Sequence, residues 1–300
     1  MSVKGRKLDV FQIVVVSICV LMGLIALYPM YYVLIMSISN PTEAAKGNVY
    51  FWPRGFYLGG YQTLLGSDTA LLRSVLMSIF YAAGGTILML ITSVLGAYPL
   101  TRSGLAGRRY VIFFLLIPMY ISGGMIPSFL VVQKLGIYNS VWAILLPGAY
   151  SISNIILVRT FFMSIPGEVA ESALMDGANN YQLMCRIYVP LSKPVLAVVA
   201  IYTLVGIWNS WFNAMVYLPN INLHPAQMYL QRVLIAQQVD LTVLQNVQDM
   251  DDKAAILARA TQARQLKYSM IVIVSLPILL VYPMFQKHFV KGVMLGSLKG

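Results

Sequence analysis

The chain is poor in charge and in cysteine. Only 10% of its 300 residues are Asp, Glu, Lys or Arg and two are cysteine, whereas 59% are hydrophobic. Because a soluble domain is about 45–50% apolar, this composition predicts a membrane protein built as one membrane domain. Two cysteines cannot form a framework of several disulfides, and we expect Cys19 and Cys185 to be free thiols.

Motifs for nucleotide hydrolysis and metal binding are missing as well. The sequence has no Gly-x4-Gly-Lys-[Ser/Thr] segment, so the chain carries no P-loop for ATP. Its histidines, His224 and His288, belong to no His-Glu-x-x-His pair, and we expect no metal, no cofactor and no catalytic residue. The net charge of +11 is not gathered into Lys/Arg clusters interleaved with aromatics, which argues against a nucleic-acid partner.

Long apolar runs predict six transmembrane helices and an all-α, polytopic fold. About 20 apolar residues cross the hydrocarbon core as a helix. The predicted spans are Phe11–Ser37, Leu71–Leu100, Tyr110–Val132, Tyr138–Phe162, Val195–Leu218 and Tyr268–Phe289. The first follows Lys4, Arg6 and Lys7 as a signal peptide would, but its apolar run exceeds the ~7–15 residues of a signal core. We therefore expect an uncleaved span.

Basic residues predict the orientation. The short loop Thr101–Arg109 contains three arginines and no acid, and the positive-inside rule places such a loop in the cytoplasm. Both termini are then cytoplasmic. The expected domains are a tail at 1–10, a transmembrane permease domain at 11–289 and a tail at 290–300, with a cytoplasmic loop at 163–194 and an external helical loop at 219–267.

The external loop contains apolar residues near helical spacing, which predicts amphipathic helices at the outer surface. They are Met228, Leu230, Val233, Leu234, Leu241, Leu244 and Val247. Two interpretations stay open for this loop: a packing lid on the helix bundle, or a docking surface for an external partner.

The cytoplasmic loop predicts a helical hairpin. Pro166 suits a first helical turn and Glu168 places negative charge near the helix N-terminus. Gly177 can adopt positive φ just past this helix. Asn179 or Asn180 can cap a second short helix that Pro190 ends. An apolar side made of Val169, Ala173, Leu174, Leu183, Met184 and Ile187 predicts a partner groove.

This loop resembles a motif of ABC importer permeases: Glu-Ala-Ala, three residues, Gly, nine residues, Ile-x-Leu-Pro. Glu171-Ser172-Ala173, Gly177, Ile187 and Pro190 match that spacing, with Ser172 in place of an Ala and Val189 in place of the Leu. The chain also resembles maltose-type (MalG-like) carbohydrate permeases at Arg159-Thr160-Phe161-Phe162, Ile165-Pro166, Asp176-Gly177-Ala178, Leu191-Ser192-Lys193-Pro194, Trp208-Asn209 and Phe289-Val290-Lys291-Gly292 to Lys299-Gly300. Gly123-Gly124-Met125-Ile126-Pro127 and Tyr282-Pro283 are similar to the oligosaccharide and aldouronate-type branch.

The resemblance implies a fold, a role and partners. The fold is that of a type I ABC importer permease, and the loop would dock into a cytoplasmic ATPase and transmit its closure. Carried over, the coupling residues are Glu168, Glu171, Ala173, Asp176, Gly177, Ile187 and Pro190. The implied partners are a second homologous permease subunit in a heterodimer, two ATP-binding subunits, an extracytoplasmic solute-binding protein or lipoprotein, and a carbohydrate substrate. The implied location is the bacterial cytoplasmic membrane.

Polar and aromatic residues inside the predicted spans mark a candidate substrate path. Amides bind sugar hydroxyls and aromatic rings pack against sugar faces, which suggests Asn209 and Asn213 with Trp208 and Trp211. The alternative is interfacial anchoring and helix packing. Gly123 and Gly124 interrupt the third span, either beside the path or as close-packing points.

Other transport functions are weighed against this interpretation. A secondary transporter would typically show internal repeats and ionisable groups buried in mid-span, and the centres of the predicted spans contain essentially none. A channel-like pore subunit, or import of a solute other than a sugar, stays open as an alternative.

Overall fold

The computed structural model describes residues 10–66, 69–121, 123–243, 261, 263, 265–281 and 283. Within them the regular secondary structure is helical, apart from one isolated bridge between Ser39 and Phe56, so the all-α prediction is confirmed. The helices are α1 (Val10–Ser37), α2 (Pro41–Ala45), α3 (Gly59–Gly66), α4 (Thr69–Thr101), α5 (Arg108–Tyr120), α6 (Met125–Lys134), α7 (Trp142–Leu145), α8 (Ile152–Met163), α9 (Gly167–Met175), α10 (Asn180–Leu183), α11 (Val189–Leu191), α12 (Lys193–Asn209), α13 (Phe212–Tyr217), α14 (Ala226–Val243) and α15 (Gln265–Val281). A π-helical turn spans Met184–Tyr188 and a 3₁₀ turn spans Ile221–Leu223.

Two of the described helices are long and apolar enough to cross a membrane alone. α1 has 28 residues and a mean hydropathy of 2.8 in its most apolar window, and α4 has 33 residues and 1.9. They match the first two predicted spans within two residues at each end. None of the α1 window is buried within the chain, whereas 33% of the α4 window is.

The third, fourth and fifth predicted spans are not continuous helices. Between α5 and α6, Gly124 adopts a φ of +84°, which is readily available only to glycine. Pro147 and Gly148 lie in the turn between α7 and α8, and the Ser151 side chain caps α8. Between α12 and α13, Ser210 is extended, with φ −77° and ψ 117°. The apolar runs therefore predicted helical segments but not the breaks inside them.

The described helices provide up to five spans. α1 and α4 qualify alone, and three bent pairs qualify if each pair is one span: α5 with α6, α8 with α9, and the segment Asn180–Leu191 with α12. The last two pairs bend by 77° and 78°. α15 is a shorter apolar helix, and residues 282 and 284–289 of the sixth predicted span lie outside the described residues. The number six stays a prediction.

Contacts divide the chain into two compact units, Met1–Asp68 with Arg232–Ser275 and Thr69–Gln231 with Leu276–Gly300. In the first unit, the end of α1 and the loop after it pack against the start of α15. The Tyr32 and Tyr268 rings meet edge to face with centroids 6.4 Å apart. The buried Gln265 amide donates hydrogen bonds to the Ser39 and Tyr57 carbonyl oxygens, both at 3.2 Å.

In the second unit, α4 is the central helix and packs most extensively against α8 and α12. Small residues provide much of its buried face: Ser74, Ser78, Ala82, Gly85, Thr86, Ser93 and Ala97. A Cβ on Gly85 would clash with Ile207 Cδ1, and one on Gly96 would lie 3.0 Å from Ile155 Cδ1. Close approach at small residues is typical of helix packing in membranes.

Two buried clusters lie along α4. The hairpin cluster consists of Met89, Ala97, Tyr98, Leu100, Ile155, Val158, Phe162, Ala170, Leu183, Met184, Tyr188 and Val199. The second cluster is called the strap cluster, after the segment 218–226 described below. It consists of Tyr81, Val132, Ala143, Leu145, Ala214, Tyr217 and Leu218. Because Tyr81 and Tyr98 both belong to α4, this one helix contributes to both clusters.

A strap of residues 218–226 crosses α4 beside the strap cluster. The Tyr81 hydroxyl donates to the Leu223 carbonyl at 3.0 Å, and the Ala226 N–H donates to Ser78 Oγ at 2.8 Å. α14 then begins at the end of the strap, as the predicted helical loop requires. The last residues of that prediction, Leu244 and Val247, lie outside the described residues.

Candidate functional site

The first helix of the predicted hairpin is α9. Pro166 is its N-cap rather than part of its first turn, and the Val169 N–H donates to the Pro166 carbonyl at 3.2 Å. Glu168 lies in the first helical turn, where the helix dipole favours a negative charge. The predicted start of the hairpin is therefore correct within one residue.

Gly177 turns the chain after α9 with a φ of +81°. The Ala178 N–H donates to the Ala173 carbonyl at 3.0 Å and the Gly177 N–H donates to the Leu174 carbonyl at 3.1 Å. Together these two bonds make a Schellman motif, which satisfies carbonyls that the end of a helix leaves without partners. Asp176 is the C-cap residue of α9.

Asn179 caps the second helix through a complete capping box. Its Oδ1 accepts from the Gln182 N–H at 2.8 Å, and its own N–H donates to Gln182 Oε1 at 3.0 Å. Of the two asparagines considered as caps, Asn179 therefore has the role. The Schellman motif at Gly177 and the capping box at Asn179 lie only two residues apart, so the turn between the two helices is well defined.

Pro190 does not end the second helix. The helical run continues to Leu191 because the turn before Pro190 is a π turn, in which the Val189 N–H donates to the Met184 carbonyl. A proline inside a helix lacks a donor and crowds the carbonyl four residues earlier, here that of Arg186. We infer that the wider π turn relieves this crowding. Single π turns inside helices are frequent at functional sites.

The apolar side of the hairpin is partly covered by the chain itself. Leu183 and Met184 are buried in the hairpin cluster, and Ala173 and Ile187 are half-buried against it. The predicted partner groove therefore does not receive this whole side. The large apolar groups that remain exposed are Val169, Leu174, Met175 and Tyr181.

Met175 and Tyr181 lie on either side of the hairpin turn with 88% and 70% of their surfaces exposed. Neither was singled out from the sequence, although each is a large apolar residue next to a predicted cap. A hydrogen bond with the Cys185 thiol raises the pKa of Tyr181 from its ordinary value.

The acidic residues of the hairpin point to solvent. Glu168, Glu171 and Asp176 are exposed, and none of them forms an ion pair within the described part of the chain. Gly177 and Pro190 are exposed as well. Five of the seven predicted coupling residues are thus accessible to a partner, and the other two hold the hairpin against its own chain.

A cavity of about 770 Å³ lies between the hairpin and the loop that follows α4. Tyr98, Arg102 and Leu105 line one side, and Glu171 and Asn180 line the other. Sequence reasoning used the loop only to set orientation and did not place it against the hairpin. The pairing joins segments about 70 residues apart, for which the sequence carries no local signal.

The candidate substrate-path residues of the fifth predicted span surround a helix break. α12 ends at Asn209, which is exposed, and Asn213 is exposed in α13. Trp208 is buried, with 4% of its surface exposed, which favours the packing interpretation for this residue. Trp211 is half-buried, and its ring meets Phe212 edge to face at 5.8 Å.

The candidate glycines of the third predicted span also mark a break. Gly123 and Gly124 are exposed, and within the described residues a Cβ on either would meet no atom within 4 Å, so no described helix of this chain packs closely on them. The helices that follow the two breaks contact each other, because Phe129 of α6 stacks on Tyr217 of α13 with centroids 6.4 Å apart.

These features define a class of protein. Apolar helices long enough to span a bilayer, helix breaks that expose polar groups, and a capped hairpin with exposed apolar groups at its tip are typical of a polytopic membrane transport subunit. The comparison with known proteins then gives the family. The chain belongs to the binding-protein-dependent transport system inner membrane components, whose model matches residues 88–295. It is therefore an integral membrane protein and an ABC transporter permease subunit rather than an enzyme.

Relatives and a solved structure agree with this assignment. Protein LplC of Bacillus subtilis is 36% identical over 99% of this chain and 96% of its own length. The polygalacturonan/rhamnogalacturonan transport system permease protein YtcP of the same organism is 34% identical over 98% of this chain and 100% of its own length. One chain of a bacterial ABC transporter involved in alginate import matches with a TM-score of 0.83 and 33% identity, covering 96% of this chain and 100% of that one. The resemblance found in the sequence and the permease fold are confirmed.

Proposed function

We propose that this chain forms half of the translocation pathway of a carbohydrate importer and is driven by a cytoplasmic ATPase that docks on the hairpin. The observation that carries the proposal is the geometry of the hairpin. A Schellman motif at Gly177 and a capping box at Asn179 fix its turn, and Met175 and Tyr181 are exposed beside that turn. Exposed apolar groups on a preorganised element are typical of docking surfaces.

The hairpin residues take different roles in this proposal. Glu168, Glu171 and Asp176 form an acidic rim that faces basic groups of the ATPase. The half-buried Ala173 and Ile187 keep the hairpin against its own chain instead of touching the partner. Gly177 sets the direction of the turn and Pro190 belongs to the rigid end, so coupling depends on both contact and stiffness.

The assembly follows from the same proposal. The hairpin, the tails at 1–10 and 290–300 and both termini are cytoplasmic, and the permease domain extends over 11–289 with an external loop at 219–267. Partners are a second homologous permease subunit, two ATP-binding subunits and an external solute-binding protein or lipoprotein. The exposure of the whole apolar window of α1 supports a contact with lipid or with the second permease.

The proposed substrate is an oligosaccharide, supported by a relative named for polygalacturonan/rhamnogalacturonan transport and by the similar structure of a transporter involved in alginate import. Asn209 and Asn213, which are exposed at the break after α12, bind sugar hydroxyls in this proposal. Trp211 offers an apolar face beside them. Trp208 is assigned to packing because it is buried.

The test is reconstitution of the importer. The chain is co-expressed with a candidate second permease and ATPase, purified in lipid nanodiscs and assayed for ATP hydrolysis with its binding protein. We expect co-elution, and hydrolysis stimulated by the binding protein loaded with an oligosaccharide but not with an amino acid. Co-elution without sugar-dependent stimulation would contradict the carbohydrate substrate, and absence of any ATPase complex would leave a channel-like pore subunit as the better interpretation.

A further inference from the structure

Three buried aromatic rings attach the hairpin to the ends of α4 and α8. Tyr188 belongs to the π turn of the hairpin, Tyr98 to the end of α4 and Phe162 to the end of α8. The Tyr188 centroid lies 5.4 Å from that of Tyr98 and 5.3 Å from that of Phe162, with interplanar angles of 80° and 72°. Edge-to-face contacts of this kind are favoured by the charge distribution of aromatic rings. We call these three residues the ring joint.

The ring joint is tightly enclosed. Tyr188, Tyr98 and Phe162 have 7%, 6% and 1% of their surfaces exposed. Leu183 of α10 is fully buried in the same cluster, so the hairpin contributes buried side chains from its second helix as well as from its π turn. Close-packed interiors have low compressibility and transmit displacement, which makes the joint a stiff contact.

Polar contacts surround the rings on the α4 side. The Tyr98 hydroxyl donates to Asn180 Oδ1 at 3.3 Å, and the Arg102 guanidinium lies over the Tyr98 ring, 5.9 Å from its centroid. Arg159 Nε of α8 donates to the Leu100 carbonyl at 3.0 Å. The ends of α4 and α8 are thereby held to each other as well as to the hairpin.

The path of the chain makes the joint important for α4. The hairpin continues directly into α8 and α12 through bends of 77° and 78°, where a few backbone dihedrals can absorb motion. α4 is separated from α9 by 65 residues of sequence, from Arg102 to Pro166. The hairpin therefore reaches α4 through side-chain contacts, and Tyr188 is central among them.

We propose that Tyr188 is the positioning residue through which displacement of the hairpin is passed to α4. When the hairpin moves with its partner, the Tyr188 ring pushes or pulls the Tyr98 ring at the end of α4, while Phe162 keeps α8 in register. The inference rests on the proposed function, because it requires an ATPase that moves the hairpin. It adds the contact by which that movement reaches a membrane span.

The experiment measures substrate transported per ATP hydrolysed in proteoliposomes of the assembled importer. Tyr188→Leu removes the ring but keeps a buried apolar side chain. We expect the ratio to fall by at least about fivefold, the lower end of coupling factors between sites in proteins, while basal hydrolysis and co-purification of the ATPase stay at wild-type levels. Tyr188→Phe keeps the ring and is expected to keep the wild-type ratio.

A matched control separates coupling from stability. Val199→Ala opens a cavity in the same cluster, since Val199 is 1% exposed, but removes no ring. We expect a lower melting temperature with an unchanged ratio. If Tyr188→Leu does not assemble, Tyr98→Leu tests the same contact from α4 and leaves the hairpin residues intact.

The outcomes distinguish this inference from the proposed function. An unchanged ratio in an assembled Tyr188→Leu or Tyr98→Leu importer overturns the ring joint, and so does an equal fall of the ratio in Val199→Ala. A wild-type chain that binds no ATPase overturns the proposed function itself, before any variant is compared.

Discussion

The hairpin and the break after α12 both interrupt a helical run, but they are built differently. In the hairpin, Gly177 turns the chain with positive φ and Asn179 closes a capping box. At the break, Ser210 is extended, its N–H donates to the Ile207 carbonyl at 3.1 Å, and α13 begins after Trp211 without a side-chain cap. The flanking residues Trp208 and Ala214 are instead buried, at 4% and 2% exposure.

The two regions show two ways of fixing a change in chain direction. Capping motifs act through residues next to the turn and are present as soon as the segment forms. A break held by burial exists only while the surrounding helices are in place. We therefore expect the hairpin to respond to substitutions at its caps, and the break to respond to substitutions in its buried neighbours.

The largest expected effect tests the break. Trp208→Ala removes a buried indole, which typically costs about 3–5 kcal/mol, and the chain around Ser210 should lose its fixed direction. Thermal unfolding in detergent measures the loss. Trp52→Ala is the control, because Trp52 is 78% exposed and its loss should change stability by no more than about 0.5 kcal/mol. Equal shifts in the two variants would contradict the tertiary origin of the break.

The next effect tests the turn of the hairpin. Gly177→Val forces a β-branched residue into positive φ, which costs about 1–2 kcal/mol or more, although a Cβ there meets no atom within 4 Å. We expect transport to be lost while the chain still inserts and folds. Gly177→Asn should retain transport because Asn tolerates this conformation. Full import by Gly177→Val with its ATPase bound would contradict the role of the turn.

A smaller effect is expected at the cap. Asn179→Ala removes the Oδ1 that accepts from the Gln182 N–H and keeps the other half of the capping box, in which Gln182 Oε1 accepts from the backbone N–H of residue 179. N-cap losses cost about 1 kcal/mol. Hydrogen exchange of the backbone amides of residues 180–188 should become faster, whereas Asn179→Asp should preserve the protection. Unchanged exchange in Asn179→Ala would mean that the hairpin is held by its buried cluster rather than by its caps.

The smallest effect on stability is expected at the exposed amide of α13. Asn213→Ala should change stability by less than about 0.5 kcal/mol, yet raise the oligosaccharide concentration that gives half-maximal transport. Gln62→Ala, a change at another exposed amide, is the control and should alter neither quantity. A wild-type concentration dependence in Asn213→Ala would remove this residue from the substrate path.

The sequence predicted the parts of the fold that short-range rules determine. Pro166, Gly177 and Asn179 are residues whose backbone preferences are strong, and the structure uses them within one residue of the predicted positions. Gly124 likewise lies at a break, as the interruption of the third predicted span indicated. Apolar runs also predicted the two described helices that are long and apolar enough to cross a membrane alone, because the cost of polar groups in lipid is the strongest constraint on such chains.

The parts that were missed depend on long-range packing. Ser210 has no strong preference for extended backbone, and its break follows from burial of residues on both sides. The Tyr98 hydrogen bond to Asn180, and the cavity that Arg102 lines together with the hairpin, join segments distant in sequence. The helix continues past Pro190 through a π turn, and no short sequence pattern predicts a π turn.

The length of α4 gives the ring joint a mechanical consequence. From Ser78, held by the strap, to Tyr98, in the joint, the helix rises about 30 Å at about 1.5 Å per residue, close to the thickness of the hydrocarbon core. A stiff rod of that length acts as a lever. A tilt of about 5° about the Tyr98 end would carry the Ser78 end sideways by roughly 3 Å, so in the proposed mechanism a small movement of the hairpin would become an atom-sized displacement at the strap.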